Sequence, residues 1–265
     1  MLSYITAIIL GVVEGFTEFL PISSTGHLIL VNQFITFDKN FTLLFDVVIQ
    51  LGAILAVVFF FCVPTGHLPK GEKRLWQDKS LWLKTLVGVL PAIIVGALFA
   101  SKIEEKLFNP WTVAIALLIG GIIILIVEKL NHNAKITSIK DLSYKTAFFI
   151  GLIQCLSMIP GTSRSGATII GALLLGTSRL VATEFSFFLA IPTMIAATGY
   201  SLLKYHALLN PSQLSVLIIG LIVSFFTALV VIKFFMNYVQ KHNFKVFGYY
   251  RIILGIIIIG YFLIK

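Results

Sequence analysis

Glu14-Gly-Phe-Thr-Glu-Phe-Leu-Pro-Ile-Ser-Ser-Thr-Gly-His27 sits in the middle of an apolar run that spans residues 4–35, and Pro160-Gly-Thr-Ser-Arg-Ser-Gly166 sits in the middle of another, 146–176. Both runs are longer than the roughly 20 residues a helix needs to cross hydrocarbon, and both are broken at the centre by proline, glycine and hydroxyl side chains. Such a break reads as two half-helices joined by a polar turn at membrane depth. The other apolar runs, 41–63, 82–100, 111–130, 181–203, 213–235 and 247–264, are unbroken and close to membrane-crossing length.

Composition agrees. Of 265 residues, 58% are hydrophobic and only 12% charged, about half the charge of an ordinary soluble domain, and mean hydropathy is +1.00. That excludes a disordered chain, a coiled coil and a typical soluble enzyme. Backbone groups facing lipid must be satisfied internally, and long apolar runs without alternation point to helices rather than a barrel. The formal charge of +9 would suggest nucleic acid in a soluble protein; here the basic residues lie mostly between apolar runs, so no nucleic-acid partner is expected. Cys62 and Cys155 lie inside apolar runs and form no disulfide or metal spacing. The first apolar run, with no basic leader and cleavage site, reads as part of the fold.

The broken runs resemble each other. Gly11-Val-Val-Glu-Gly-Phe-Thr-Glu-Phe19 aligns with Gly151-Leu-Ile-Gln-Cys-Leu-Ser-Met-Ile159, and a break of proline, serine and threonine follows in each. Phe45-Asp46-Val-Val-Ile-Gln-Leu-Gly52 then pairs with Thr183-Glu184-Phe-Ser-Phe-Phe-Leu-Ala190. The expected organisation is one transmembrane domain, 1–265, made of two repeats, about 1–130 and 146–265, with a boundary near 131–145.

Loop charge decides how the broken runs lie. If all eight runs cross, the basic residues divide 11 to 8 between the two sides. If the two broken runs are re-entrant hairpins, they divide 14 to 5, with Lys39, Lys102, Lys106, Lys204 and Lys265 in the minority, which suits the positive-inside rule far better. The predicted fold is therefore an all-α integral membrane protein with about six transmembrane helices and two re-entrant helical hairpins. Three crossings per repeat make the repeats inverted, so the hairpins enter from opposite faces and their tips meet near mid-membrane, where inverted repeats commonly build a polar site.

The polar residues at those tips are the candidates for function. Glu14 and Glu18, four apart, share a helix face and need a cation, a proton or a basic partner in a low dielectric. An ion pair with Arg164 that locks the hairpins is one reading; a Mg²⁺ or Ca²⁺ site is the other. Ser23, Ser24 and Thr25 suit helix capping, and a half-helix N-terminus also binds anions. His27, one turn after Ser24, can exchange a proton near neutral pH. Gly161, Thr162, Ser163, Arg164, Ser165 and Gly166 form a second anion candidate, with glycines for close approach, hydroxyl donors and a guanidinium fork that matches phosphate oxygens. The segment lacks the Gly-Lys-Ser/Thr ending of a P-loop. Asp46 and Glu184 either cap the first turn of a helix or support the site.

Glu14 to His27, Pro160 to Thr168 and Phe45 to Gly52 resemble three signatures of the undecaprenyl-pyrophosphate phosphatase family, the bacitracin-resistance proteins, and the similarity runs over essentially the whole chain. Asp46 stands where some members carry Glu. The resemblance implies a multi-pass phosphatase of the bacterial inner membrane that converts undecaprenyl pyrophosphate to undecaprenyl phosphate and inorganic phosphate, recycling the carrier for cell-wall synthesis and conferring bacitracin resistance. It also implies a site that opens outward and support by a divalent cation. In this reading Ser24 is the nucleophile, with His27 as base or proton donor; His27 or water as nucleophile stays open. Arg164 and a cation at Glu14 and Glu18 neutralise the phosphates, and Ser23, Thr25, Thr162, Ser163 and Ser165 hold them. The expected partners are the lipid pyrophosphate and bilayer lipids, with a homodimer left open. The rival is a polyprenyl-phosphate flippase or another secondary transporter; a bare anion channel fits worse, because two carboxylates would repel its ion.

Overall fold

The computed structural model describes residues 2–62, 72–130, 134–205 and 211–264. Lys70 and Lys265, both counted in the charge balance, lie outside them. The described chain is helical without strands. Six of its helices are long and apolar enough to cross a membrane; the protein is an all-α, multi-pass membrane protein.

In chain order the helices are α1 (Leu2–Thr17), α2 (Ser24–Val31), α3 (Lys39–Cys62), α4 (Lys79–Leu107), α5 (Pro110–Lys129), α6 (Tyr144–Gln154), α7 (Arg164–Leu174), α8 (Arg179–Tyr205), α9 (Pro211–Val239) and α10 (Lys245–Ile264). The broken runs are the two short pairs, α1–α2 and α6–α7. Each breaks where the sequence places proline, which cannot donate into a helix ladder, and each restarts on a serine cap. Ser23 and Ser163 precede α2 and α7 with nearly the same backbone, φ 71° and 72°, and their Oγ atoms accept from the amides of Gly26 and Gly166 at 3.3 and 3.1 Å. A positive φ costs a serine about 1–3 kcal/mol, so the surrounding packing must impose it.

The helix contacts come in matched sets. α1 lies against α9 as α6 lies against α4; α9 in turn lies against α3, and α4 against α8; α3 touches α8, and α5 pairs with α10. Exchanging α1, α3, α4 and α5 for α6, α8, α9 and α10 reproduces every one of these neighbours.

Close approach at the hairpins depends on missing side chains. A methyl on Gly15 would stand 2.5 Å from the Ser224 carbonyl oxygen of α9, and one on Gly151 would run into the Gly88 carbonyl of α4. Without a water-driven hydrophobic effect between helices in lipid, such backbone approach is what packs them. The main core gathers Phe19, Phe61, Phe185, Phe187, Phe188, Phe235 and Phe244 between α3, α8 and α9.

Two basic residues counted as loop charges prove to be interior. Lys84 is buried, its Nζ donating to the Lys140 carbonyl at 3.0 Å, and Arg251 is 0% exposed within α10. Removing both from the tally leaves the charge bias standing. Where α5 ends and α8 begins, Arg179 forks onto Glu128 with Nε and Nη2 bonds of 2.9 and 2.6 Å, and the Phe244 amide adds a third bond at 2.9 Å.

Candidate functional site

The two hairpin turns meet. Glu18, just past the end of α1, is the hub. Its Oε2 accepts from Ser24 Oγ at 2.6 Å and its Oε1 accepts from Arg164 Nη2 at 3.2 Å, with both members of the ion pair about 10% exposed. Ser24 and Arg164 are each the first residue of a half-helix, directly after the matching caps. A carboxylate, a hydroxyl and a guanidinium are thus gathered at two helix N-termini, where four amides per helix have no intrahelical acceptor and each cap satisfies only one.

Arg164 is held from behind. Its Nη1 donates to the Ser186 carbonyl of α8 at 3.2 Å, its Cζ stands 5.7 Å over the Phe19 ring, and its Nε is buried with no partner. Ser186 Oγ shares a 2.6 Å hydrogen bond with Thr168 Oγ1. Glu184 is buried on α8 two residues before Ser186.

His27 is engaged at both nitrogens and neither contact is to Ser24. Nδ1 lies 2.7 Å from the Ser23 carbonyl, which can only accept, so Nδ1 carries a proton; Nε2 lies 2.6 Å from the Tyr250 hydroxyl, and the two rings stack. The group placed to take the proton of Ser24 is Glu18.

The hydroxyls expected on phosphate divide. Ser23 and Ser163 are spent as caps. Ser165 Oγ donates to the Leu20 and Glu18 carbonyls at 2.8 and 3.2 Å, fastening one hairpin to the other. Thr25 and Thr162 are half-buried beside them. Gly161 has φ 91°, in the left-handed region glycine tolerates, and a methyl there would stand 2.5 Å from the Val113 carbonyl oxygen. Gly166 is buried in the first turn of α7.

Glu14 is 0% exposed, and no amide, hydroxyl or cationic donor reaches its carboxyl oxygens, which lie against the Glu18 carboxyl; Asp46 and Arg164 also face it. Asp46 bonds to Asn32 and keeps one buried oxygen without a partner. Buried carboxylate oxygens with no donor are the hard ligand set a Mg²⁺ or Ca²⁺ prefers, so the residues present fit such an ion, although no group of three or more metal-ligating side chains is found among the described residues.

Sequence reasoning missed Tyr250, Arg251 and Ser186. The first two had a signal: an arginine inside an apolar run is functional by default, and Tyr250 adjoins it. Ser186 acts through its carbonyl, which no side-chain pattern discloses.

Comparison with known proteins assigns the chain to a family. The chain is 50% identical to undecaprenyl-diphosphatase 1 of Clostridioides difficile (strain 630), covering 99% of this chain and 97% of that protein. It is 51% identical to the undecaprenyl-diphosphatase of Lachnoclostridium phytofermentans, covering 97% and 96%, and 50% identical to that of Lactiplantibacillus plantarum, covering 99% and 98%. The family model of the bacitracin resistance protein BacA matches residues 7–257, and the chain belongs to that family.

Proposed function

We propose that this protein hydrolyses undecaprenyl diphosphate to undecaprenyl phosphate and inorganic phosphate within the bacterial plasma membrane, recycling the lipid carrier for cell-wall synthesis and giving bacitracin resistance. The observation that carries the reading is the chain Ser24–Glu18–Arg164, which puts a hydroxyl, a proton acceptor and a phosphate-binding cation from two hairpins within hydrogen-bond reach.

The prenyl tail stays in lipid and the diphosphate enters between the half-helix N-termini, from the outer face. Ser24 Oγ attacks the terminal phosphorus as Glu18 takes its proton; the bridging P–O bond breaks and the lipid monophosphate leaves, with His27 and the Tyr250 hydroxyl at hand for a proton. Water then releases phosphate from Ser24. Arg164 and the free amides of α2 and α7 stabilise the equatorial oxygens, the largest contribution in phosphoryl transfer. Glu14 and Glu18 would hold a Mg²⁺ or Ca²⁺, which supplies further charge neutralisation to the diphosphate when bound. Asp46 and Glu184 support the site, and the two repeats are inverted.

The test is phosphate release from the C55 diphosphate by purified protein in detergent, where no compartments exist. A flippase or other carrier releases nothing there; turnover that Ser24→Ala abolishes supports the hydrolase.

A further inference from the structure

Arg251 is the most deeply buried cation among the described residues, and it faces no acid. It is 0% exposed, and the ion pairs among the described residues are Arg164–Glu18 and Arg179–Glu128. All its donors go to main-chain carbonyls. Nη1 reaches Thr162 O at 2.8 Å and Pro21 O at 3.4 Å; Nη2 reaches Gly161 O and Ala116 O, each at 3.0 Å; Nε reaches Leu117 O at 3.4 Å. Pro21 belongs to the first hairpin turn, Gly161 and Thr162 to the second, and Ala116 and Leu117 to α5.

One guanidinium therefore ties both turns to the α5–α10 pair. The fold makes room for it: a methyl on Gly120 would overlap the guanidinium, and one on Gly166 would stand 3.0 Å from Nη1. A buried ion without a counter-ion is costly, and an apolar filler is commonly as stable or more so. Stability alone is a poor reason to keep an arginine here. Geometry is a better one. Pro21 lies three residues before Ser24, and Thr162 two before Arg164, so the bonded carbonyls are short, cap-stiffened lengths of backbone away from the two groups that must converge on one phosphate. Arginine's planar fork spans acceptors on separate segments; a lysine ammonium, a single point with three donors, does not.

We propose that Arg251 is the positioning residue of the site, setting the separation of the two hairpin turns at which Ser24 and Glu18 on one meet Arg164 on the other. It touches no substrate in this role. The proposal rests on the functional reading above, and one arm of its test does not.

Full-length Arg251→Gln and Arg251→Lys are compared with wild type in detergent, with kcat and KM on the C55 diphosphate and the folded fraction from gel filtration. A displacement of about 1 Å at a reacting centre costs about 100-fold; Arg251→Gln is expected to lose that much in kcat, per folded molecule, with KM within about threefold. Arg251→Lys should recover about tenfold of it, because one or two carbonyl bonds are regained. In parallel, spin labels on Phe34→Cys and Leu174→Cys, both exposed positions at the far ends of the hairpins, report their separation in a background with Cys62 and Cys155 replaced by alanine. The distance distribution should broaden or shift in Arg251→Gln. Wild-type kcat per folded molecule in Arg251→Gln, or equal losses in both variants that simply follow the folded fraction, overturns the proposal, as does an unaltered distance distribution. If Arg251→Gln yields no folded protein, Arg251→Lys decides: lowered kcat at unchanged KM supports positioning, and wild-type kcat overturns it. If wild type itself releases no phosphate, the functional reading fails, and the spin-label arm still judges the clamp.

Discussion

Arg164→Ala separates what the site needs for folding from what it needs for chemistry. In the structure Arg164 does two jobs, pairing with Glu18 at 3.2 Å and presenting a buried, unpartnered Nε. Removing one member of a buried pair costs about 3–5 kcal/mol, because the other is left uncompensated. Here the surviving Glu18 faces Glu14, whose own oxygens have no donor, and only the 2.6 Å bond from Ser24 offsets the charge; the lower half of that range is expected. The chemical loss is separate. An arginine on a transferring phosphoryl group is worth about 10³–10⁵ in rate, which is about 4–7 kcal/mol of barrier at 1.36 kcal/mol per decade. Thermal melting in detergent reads the first term and phosphate release per folded molecule reads the second. Adding Glu18→Gln to Arg164→Ala removes the stranded charge, so the melting midpoint should recover while turnover stays lost. Arg164→Lys keeps the charge but cannot hold Ser186 O and Glu18 together, and should fall between. Turnover of folded Arg164→Ala within about tenfold of wild type would refute the placement, since even one lost donor at a developing oxyanion costs about 10²–10³. Recovery of turnover in the double variant would show that the arginine merely neutralises Glu18.

Ser24→Ala should leave folded protein with less than about one per cent of wild-type turnover, as expected for loss of a nucleophile; substantial residual phosphate release would hand the attack to water or His27. Glu14→Gln should keep or raise the melting midpoint, since it removes a buried carboxyl group crowded by Glu18 and Asp46, while metal-stripped wild type should regain turnover on adding Mg²⁺ or Ca²⁺ and the variant should not; full activity of wild type in EDTA removes the cation from the account. Tyr250→Phe deletes the hydroxyl on His27 Nε2 and is expected to cost about 0.5–1.5 kcal/mol in stability and about tenfold in turnover, the latter small because another proton route through water is open. Gly151→Ala forces α6 away from the Gly88 carbonyl and should lower the melting midpoint more than Gly199→Ala, which meets nothing nearby.

The sequence disclosed the fold well because membranes leave few options. Apolar run length counts the crossings, the proline and hydroxyl breaks mark the hairpins, and loop charge favours folding the broken runs back on themselves. The site was legible for the same reason: Glu14, Glu18, His27 and Arg164 are costly in lipid, so their presence was itself a signal. Three things were hidden. Ser24 and His27, one turn apart, invited the pairing of hydroxyl with imidazole; the turn between α1 and α2 instead brings Glu18 to Ser24 and sends His27 to Tyr250 on α10, a contact across 223 residues. The hydroxyls of Ser163 and Ser165 satisfy backbone groups that only the bent hairpins expose. Arg251 stands inside its apolar run, which is a signal in itself, but its partners were hidden; its burial follows from the α5–α10 packing around Gly120 and Gly248.

That packing also bears on the rival reading. A carrier with inverted halves works by rocking one half against the other about a central site, which requires the contacts between the two hairpins to exchange easily. Here they are joined by a carboxylate–guanidinium pair, by the Ser165 hydroxyl on Leu20 O, and by one guanidinium that bonds to both turns. Hydrogen bonds to charged groups are worth about 1.5–3 kcal/mol each, and breaking several at once leaves buried partners unsatisfied. Such a joint resists alternation and favours a fixed geometry, which is what a reaction dominated by positioning and charge stabilisation needs. The two turns share a backbone, caps at φ 71° and 72°, yet carry different chemistry at the next position, Ser24 in one and Arg164 in the other. Equal arms would hold an anion symmetrically; in the proposed mechanism a hydroxyl opposed to a guanidinium gives the phosphate one side from which it is attacked and another on which its charge is held.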